Sequence, residues 1–261
     1  LDASFAMSSQ IGNVKSDLIL KNMDLTDKAS YVGNVVLDNF DIGAFVDRKD
    51  IGKTSLNLDV NGKGFSEKSL NTSLKGIVNS ITFNNYTYSN IDLNGNFVSG
   101  LYKGQVKAND PNLKMYFDGF VDLSKKSNIY NFQINVENAN LKKLNFVKDN
   151  ISKFEGDINV DLSGNTIDNL VGDVFVKHAT YHNTKATYSI DEFYINSAFD
   201  QNRVRTITVN SGDIVDGVVV GKFYFNQLQK LVTNSLGSLY ENYKPIKVNK
   251  GQFLKFDFTI H

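Results

Sequence analysis

The sequence predicts an all-β chain: an elongated, twisted and curled antiparallel sheet with one apolar face, short helices and one longer amphipathic helix near the C-terminus. Three observations predict it. Apolar and polar residues alternate with period two along many segments, as in Leu56-Asn57-Leu58-Asp59-Val60. The chain of 261 residues carries 19 Phe and 12 Tyr but only two prolines, Pro111 and Pro245, a balance that suits long hydrogen-bonded ladders. Glycine-led runs recur, at Gly33-Asn34-Val35, Gly76-Ile77-Val78 and Gly119-Phe120-Val121, spaced forty-three residues apart and read as strand openings.

Taken in chain order, the alternation places Leu56, Leu58 and Val60 on one strand face, and Ile91, Leu93 and Phe97 on another around Gly95. Leu113, Met115 and Phe117 follow, then Tyr130, Phe132, Ile134 and Val136, then Ile158, Val160 and Leu162. Leu254, Phe256, Phe258 and Ile260 close the chain with the cleanest alternation. The residues between are mostly Asn, Asp, Lys, Ser and Gln, so one face should be dry and the other wet. Turns are expected at Asn61-Gly62, Asn94-Gly95, Asn109-Asp110-Pro111-Asn112 and Ser163-Gly164-Asn165.

Three stretches break the period. Residues 41–50 predict a short helix with an acidic cap at Asp41, and residues 140–150 a similar one. Residues 226–243 carry Leu228, Leu231, Val232, Leu236, Leu239, Tyr240 and Tyr243 at helical spacing, with Asn226 as the cap and Pro245 beyond the end. That helix is expected to cover an open sheet surface, with a membrane or partner surface as the alternative. A weaker repeat relates residues 81–94 to residues 179–196, each a strand, an Asn turn and a strand, and suggests stacked supersecondary units. No shift in composition marks a domain boundary, so residues 1–261 read as a single unit.

Composition excludes several functions. Formal net charge is zero, which argues against a general nucleic-acid binder. Without cysteine there is no disulfide framework, thiolate site or cysteine nucleophile. No stretch reads as a signal peptide or a bilayer span, and the start at Leu1 suggests a processed form or a fragment. His178 and His182, four apart on a strand, would lie roughly 13 Å from each other, too far to share a metal. Gly52-Lys53-Thr54 lacks the earlier glycine and the following helix of a phosphate loop and reads as a β-turn. Asp213 and Asp216 offer carboxylates for Ca²⁺ but read more simply as solvated side chains. Asn71-Thr72-Ser73 and Asn85-Tyr86-Thr87 fit the glycosylation pattern, as an Asn-rich chain will by chance. Neither a nucleophile elbow nor a metal cluster is legible, so no enzyme, no cofactor and no metal are expected.

Gly33 to Gly43, Asp59 to Ser66 and above all Phe83-Asn84-Asn85-Tyr86-Thr87-Tyr88-Ser89-Asn90-Ile91-Asp92-Leu93-Asn94-Gly95 resemble the TamB branch of the AsmA-like envelope proteins, in its Bacteroidetes-type form. The resemblance covers roughly residues 30 to 240. It implies an internal segment of a longer periplasmic protein anchored in the inner membrane, with a U-shaped, taco-like groove and an apolar interior. It further implies phospholipid transport between the two membranes, outer-membrane biogenesis and a TamA-type barrel as partner. The residues expected to line the groove and touch phospholipid acyl chains are Leu56, Leu58, Val60, Ile91, Leu93, Phe97, Leu113, Met115, Phe117, Phe132, Ile134, Val136, Ile158, Val160 and Leu162. Two rivals stand beside this expectation. One is a chaperone-like scaffold that offers a sheet edge to outer-membrane strands. The other is a surface glycan-binding β-sandwich with Tyr86 and Tyr88 as a sugar platform.

Overall fold

The computed structural model describes residues 2–66, 68–148 and 151–261. Fifteen strands pair antiparallel in one sheet, and their spatial order is their order in the chain. They are β1 (Asp2–Ser9), β2 (Gly12–Lys21), β3 (Ser30–Asp41), β4 (Ile51–Lys63), β5 (Asn71–Phe83), β6 (Tyr86–Val98), β7 (Leu101–Asp110), β8 (Leu113–Asp122), β9 (Ile129–Asn140), β10 (Ser152–Ser163), β11 (Val171–Asn183), β12 (Thr187–Phe199), β13 (Arg205–Asn210), β14 (Val215–Lys222) and β15 (Phe253–Ile260). The first and last strands do not pair with each other, so the sheet is open. Each strand packs against its chain neighbours, so the pairing is local in sequence throughout.

The glycine-led runs do not open strands. Gly33, Gly76 and Gly119 lie inside β3, β5 and β8, two and then three strands apart, so their even spacing is not a repeat of one structural unit. They mark close approach of backbones instead. Gly119 holds φ at +146°, and a methyl group there would collide with Asn131 O and the Phe132 Cα on β9. Asn61-Gly62 and Asn94-Gly95 are likewise strand interior, within β4 and β6, and not turns. Gly62 clears space: the Tyr31 hydroxyl on β3 reaches across it to share a hydrogen bond with the Thr72 hydroxyl on β5. Gly52-Lys53-Thr54 is strand too, at an irregular start of β4 where the register with β5 shifts.

Other turns fall where residue chemistry placed them. Asn84 and Asn85 both take positive φ, 49° and 63°, in the two-residue link between β5 and β6 that a right-twisted hairpin favours. Pro111-Asn112 links β7 to β8, with the Asn112 N–H donating to Asp110 at 2.8 Å. The hairpins β5–β6 and β11–β12 are the pair related by the weaker sequence repeat.

Helix α1 (Ile42–Val46) forms as predicted, and its Asp41 cap accepts from the Ala44 N–H at 2.9 Å. Residues 141–146 make hydrogen-bonded turns rather than a second short helix, and residues 149 and 150 of that stretch lie outside the described residues. Helix α2 (Leu228–Gly237) is shorter than the 226–243 stripe implies. Its start is a 3-10 turn over Phe225–Gln227, so Asn226 is not the cap. It stops because the chain folds back: the Tyr243 ring lies against Gly237, and the Asn234 side chain takes the Tyr243 hydroxyl and the Ile246 N–H. Leu236, Leu239 and Tyr240 are therefore exposed rather than laid on the sheet.

Candidate functional site: an aligned apolar face

The register of the sheet brings the predicted residues together. Adjacent strands place Leu56, Val78, Ile91, Ala108, Met115 and Val136 opposite one another in turn, from β4 to β9. A second row runs Leu58, Gly76, Leu93, Val106, Phe117, Ile134, Ile158 and Val176, from β4 to β11. A third holds Val60, Leu74, Gly95, Gly104, Gly119, Phe132 and Val160. Phe97 and Leu162 belong to a fourth, with Tyr102, Val121 and Tyr130 between them, and Leu113 stands in the row beyond Met115, opposite Ala139. Successive rows are two residues apart along each strand, so all fifteen predicted residues share one face.

Exposure separates the two faces. Leu58 and Val136 are buried and the other thirteen predicted residues are half-buried. The intervening Asn57, Asp59, Asp92, Asn94, Asp118 and Gln133 are exposed. Residues of the wet face pair across strands, as in Asn34 to Asp59 at 2.9 Å, Gln105 to Asp118 at 3.1 Å and Asn135 to Asp157 at 2.7 Å. Such exposed pairs add little stability but fix register, because a one-residue slip would carry every polar side chain to the dry face.

The middle of the face has its own relief. Gly95, Gly104 and Gly119 sit side by side, leaving bare backbone. Aromatic rings fold toward that strip: Tyr102 and Phe117 have centroids 6.3 Å apart, and Phe117 and Phe132 have centroids 5.2 Å apart with planes at 40°. Beside it, Tyr130, Phe132, Val160 and Leu162 border a depression of about 340 Å³ that Ile167 and Leu170 close at one end.

Close packing marks one place at each end of the strands. At one, Leu144 is fully buried against Tyr88, Val136 and Ala139, and Asn145 Nδ2 donates to Asn84 O at 3.2 Å, so the β9–β10 connection folds across the face toward the β5–β6 turn. Asp110, 1% exposed, sits below it and accepts from the Tyr86 hydroxyl at 2.5 Å, the Ser89 N–H and hydroxyl, and the Asn112 N–H. Tyr86 and Tyr88 meet edge to face at 4.7 Å, half-buried and buried, and so form no exposed sugar platform. At the other end, Arg205 is 3% exposed and held by neutral acceptors: Ser197 Oγ at 3.0 Å, and Ile167 O and Leu170 O at 2.9 Å each. Its guanidinium also lies over Phe199 and Phe225, 5.3 and 4.9 Å from the ring centres. Burial draws that guanidinium below its ordinary range, and Asp168 acts against the shift.

The polar candidates are not gathered into a site. His178 sits at a positive-φ position of β11 with Nδ1 3.4 Å from an Asp157 oxygen, while His182 contacts the Thr187 hydroxyl at 2.6 Å. Asp216 lies 3.0 Å from His261 Nε2 and accepts from the Gly212 and Ser211 N–H groups, contacts that in this order hold its carboxyl below the usual range. Among the described residues no group of three or more His, Asp or Glu side chains is placed to hold a metal, and no helix is long and apolar enough to cross a membrane.

Alternation did not reveal every member of the face. Val174-Phe175-Val176 reads as a continuous apolar run, so its facing residues cannot be chosen by period, and Gly76, Gly104 and Gly119 carry no side chain to count. Their membership follows only from pairing. Compared with known proteins, the chain matches no family model, and no curated protein or solved structure matches it.

Proposed function

We propose that this chain is a lipid-carrying segment of the cell envelope, in which the apolar face forms a U-shaped groove that shields phospholipid acyl chains. One observation carries the reading. Three neighbouring rows of mostly apolar residues stand in register across six to eight consecutive strands, and most of their side chains are half-buried rather than buried. An apolar face shared by so many strands of one open sheet favours an apolar occupant. Acyl chains suit it, because each methylene laid against the face contributes up to about 0.8 kcal/mol and the contact has no preferred direction. Sliding along a row exchanges one such contact for another at little cost. The resemblance to TamB-type proteins supports the same reading. It adds a periplasmic location, transport between inner and outer membranes, and a TamA-type barrel as partner to the proposal.

Native mass spectrometry of the chain purified without detergent tests it. Co-purifying phospholipid at a reproducible stoichiometry is the expected result; a stable chain that never carries lipid overturns the reading.

A second reading draws on the open edges. β1 and β15 each have a single neighbour, and Phe5, Phe256 and Phe258 are exposed on them. A nascent outer-membrane strand could pair there, making the sheet a chaperone-like scaffold. Proline placed in β15 would abolish that activity, whereas a charge on the apolar face would spare it. The sandwich reading draws less support, since the strands form one sheet rather than two.

A further inference from the structure

A cavity of about 650 Å³ opens at the β12–β15 end of the sheet, where the chain leaves β14 and returns into β15. Its wall includes Phe199, Gly221, Phe223 and Tyr224, and three cations, Arg203, Lys222 and Lys250. Asp168 is the single carboxylate in that wall, and one of its oxygens already accepts from the Phe225 N–H at 2.7 Å. Among the described residues, none of the three cations has a carboxylate within ion-pair distance. Behind Phe199 lies Arg205, whose buried charge touches only neutral oxygens and ring faces. Positive charge is thus concentrated here in a chain whose formal net charge is zero. Gln252, also in the wall, accepts from the Tyr224 N–H through Oε1 at 3.2 Å, and its buried Nε2 has no acceptor among the described residues.

Position matters as much as charge. Phe199, Arg205 and Gly221 pair in one row, two residues beyond the row of Ser197, Ile207 and Val219 on the apolar face. The cavity therefore borders the apolar face at its end, with Phe199 and Gly221 of that row and the neighbouring Lys222 in its wall.

We propose that this cavity binds a phosphate-class anion, either the phosphodiester headgroup of a lipid whose chains lie on the apolar face or free phosphate. The volume suits such a group. Exposed lysines around a concave, aromatic-backed wall attract it through charge, and Arg205, offset in part by Asp168, adds to the field. The lipid source rests on the function proposed above; the anion site does not.

The full chain, as wild type and as the Lys222→Gln/Lys250→Gln double variant, is titrated with three probes. These are phosphatidylglycerol vesicles, diacylglycerol of the same acyl composition, and inorganic phosphate, with thermal melting to verify equal folding. Both lysines are exposed, so the variant leaves the core intact. The expected result is that the variant loses affinity for phosphatidylglycerol by about fivefold per cation, about 25-fold in all, with diacylglycerol unaffected. Saturable phosphate binding that the variant loses, with no lipid bound by either protein, supports the anion site while removing the lipid function. Equal binding of phosphatidylglycerol by wild type and variant overturns the site and leaves the lipid function standing. A parallel loss of diacylglycerol overturns it too, since the lysines would then act without reference to phosphate.

Discussion

Leu93 and Asp92 adjoin in β6 and face opposite ways: Leu93 is half-buried in the row between Gly76 and Val106, Asp92 is exposed on the other side. That contrast gives the most direct test of the face. Leu93→Arg or Ile134→Asp sets an unpaired charge against hydrocarbon and should lower lipid transfer at least about tenfold, while Asp92→Arg leaves it near wild type. Equal effects on the two faces in a vesicle transfer assay would sink the groove. The wet face supplies a different test, in pH. Asp173 accepts from the Tyr194 hydroxyl and from Asn196 Nδ2 at 2.8 Å. Those hydrogen bonds, Tyr194 first, hold its carboxyl below the ordinary value of 3.8 against the opposing effect of burial. A depressed carboxylate stabilises the fold above its unfolded pKa, and the contribution is lost as pH falls through the folded value. Urea unfolding should therefore show wild type more stable than Asp173→Asn at pH 6, with the gap closing as the medium is acidified below about pH 4. A gap independent of pH would show that the carboxylate's charge is not what stabilises.

Among the elements, the connection between β9 and β10 has a role its sequence disguises. It is polar at Asn140, Lys142, Lys143 and Asn145, yet it lays Leu144 on Tyr88, Val136 and Ala139 to form a cluster of buried apolar side chains. Leu144→Ala removes a fully buried side chain and should cost about 2–5 kcal/mol, read from chemical denaturation. A cost under about 0.5 kcal/mol would mean that the connection merely rests on the sheet. Helix α2 is the opposite case. Its stripe is legible over 226–243, but Leu236 and Leu239 end up 60% and 80% exposed because Asn234 and Gly237 anchor the returning chain at Tyr243 and Ile246. An apolar periodicity reports which side of a helix seeks burial, and another part of the chain decides whether it is buried.

At the scale of the molecule, a meander of fifteen strands in chain order puts its stability in the middle and its weakness at both ends. β1 and β15 each pair on one side and expose Phe5, Phe256, Phe258 and Ile260. Hydrogen exchange followed by mass spectrometry should show amides of β1 and β15 exchanging at least about tenfold faster than those of β5 and β6, which are paired on both sides. Uniform protection along the chain would mean that the edges are covered in solution, by another copy or another segment.

Much of this architecture was legible in the residues alone. Period-two alternation over β4, β6, β8, β9 and β10 assigned both the strands and the face of Leu56, Leu93, Phe117, Ile134 and Val160, because a pleated strand turns every second side chain the same way. Asn and Asp located the Asn84-Asn85 turn and the α1 cap, since their side chains stabilise local backbone conformations. Pairing was not legible, because hydrogen bonds between strands are made by backbone groups that all residues share. Only the folded sheet showed that Gly62, Gly95 and Gly119 are clearances inside strands rather than turns or strand openings, a distinction set by what lies across the ladder. It alone aligned the separate apolar stripes into rows and brought Arg203, Lys222 and Lys250 around one cavity, since Lys222 ends β14 while Arg203 and Lys250 lie on two different connections, and the three meet only when the strands pair.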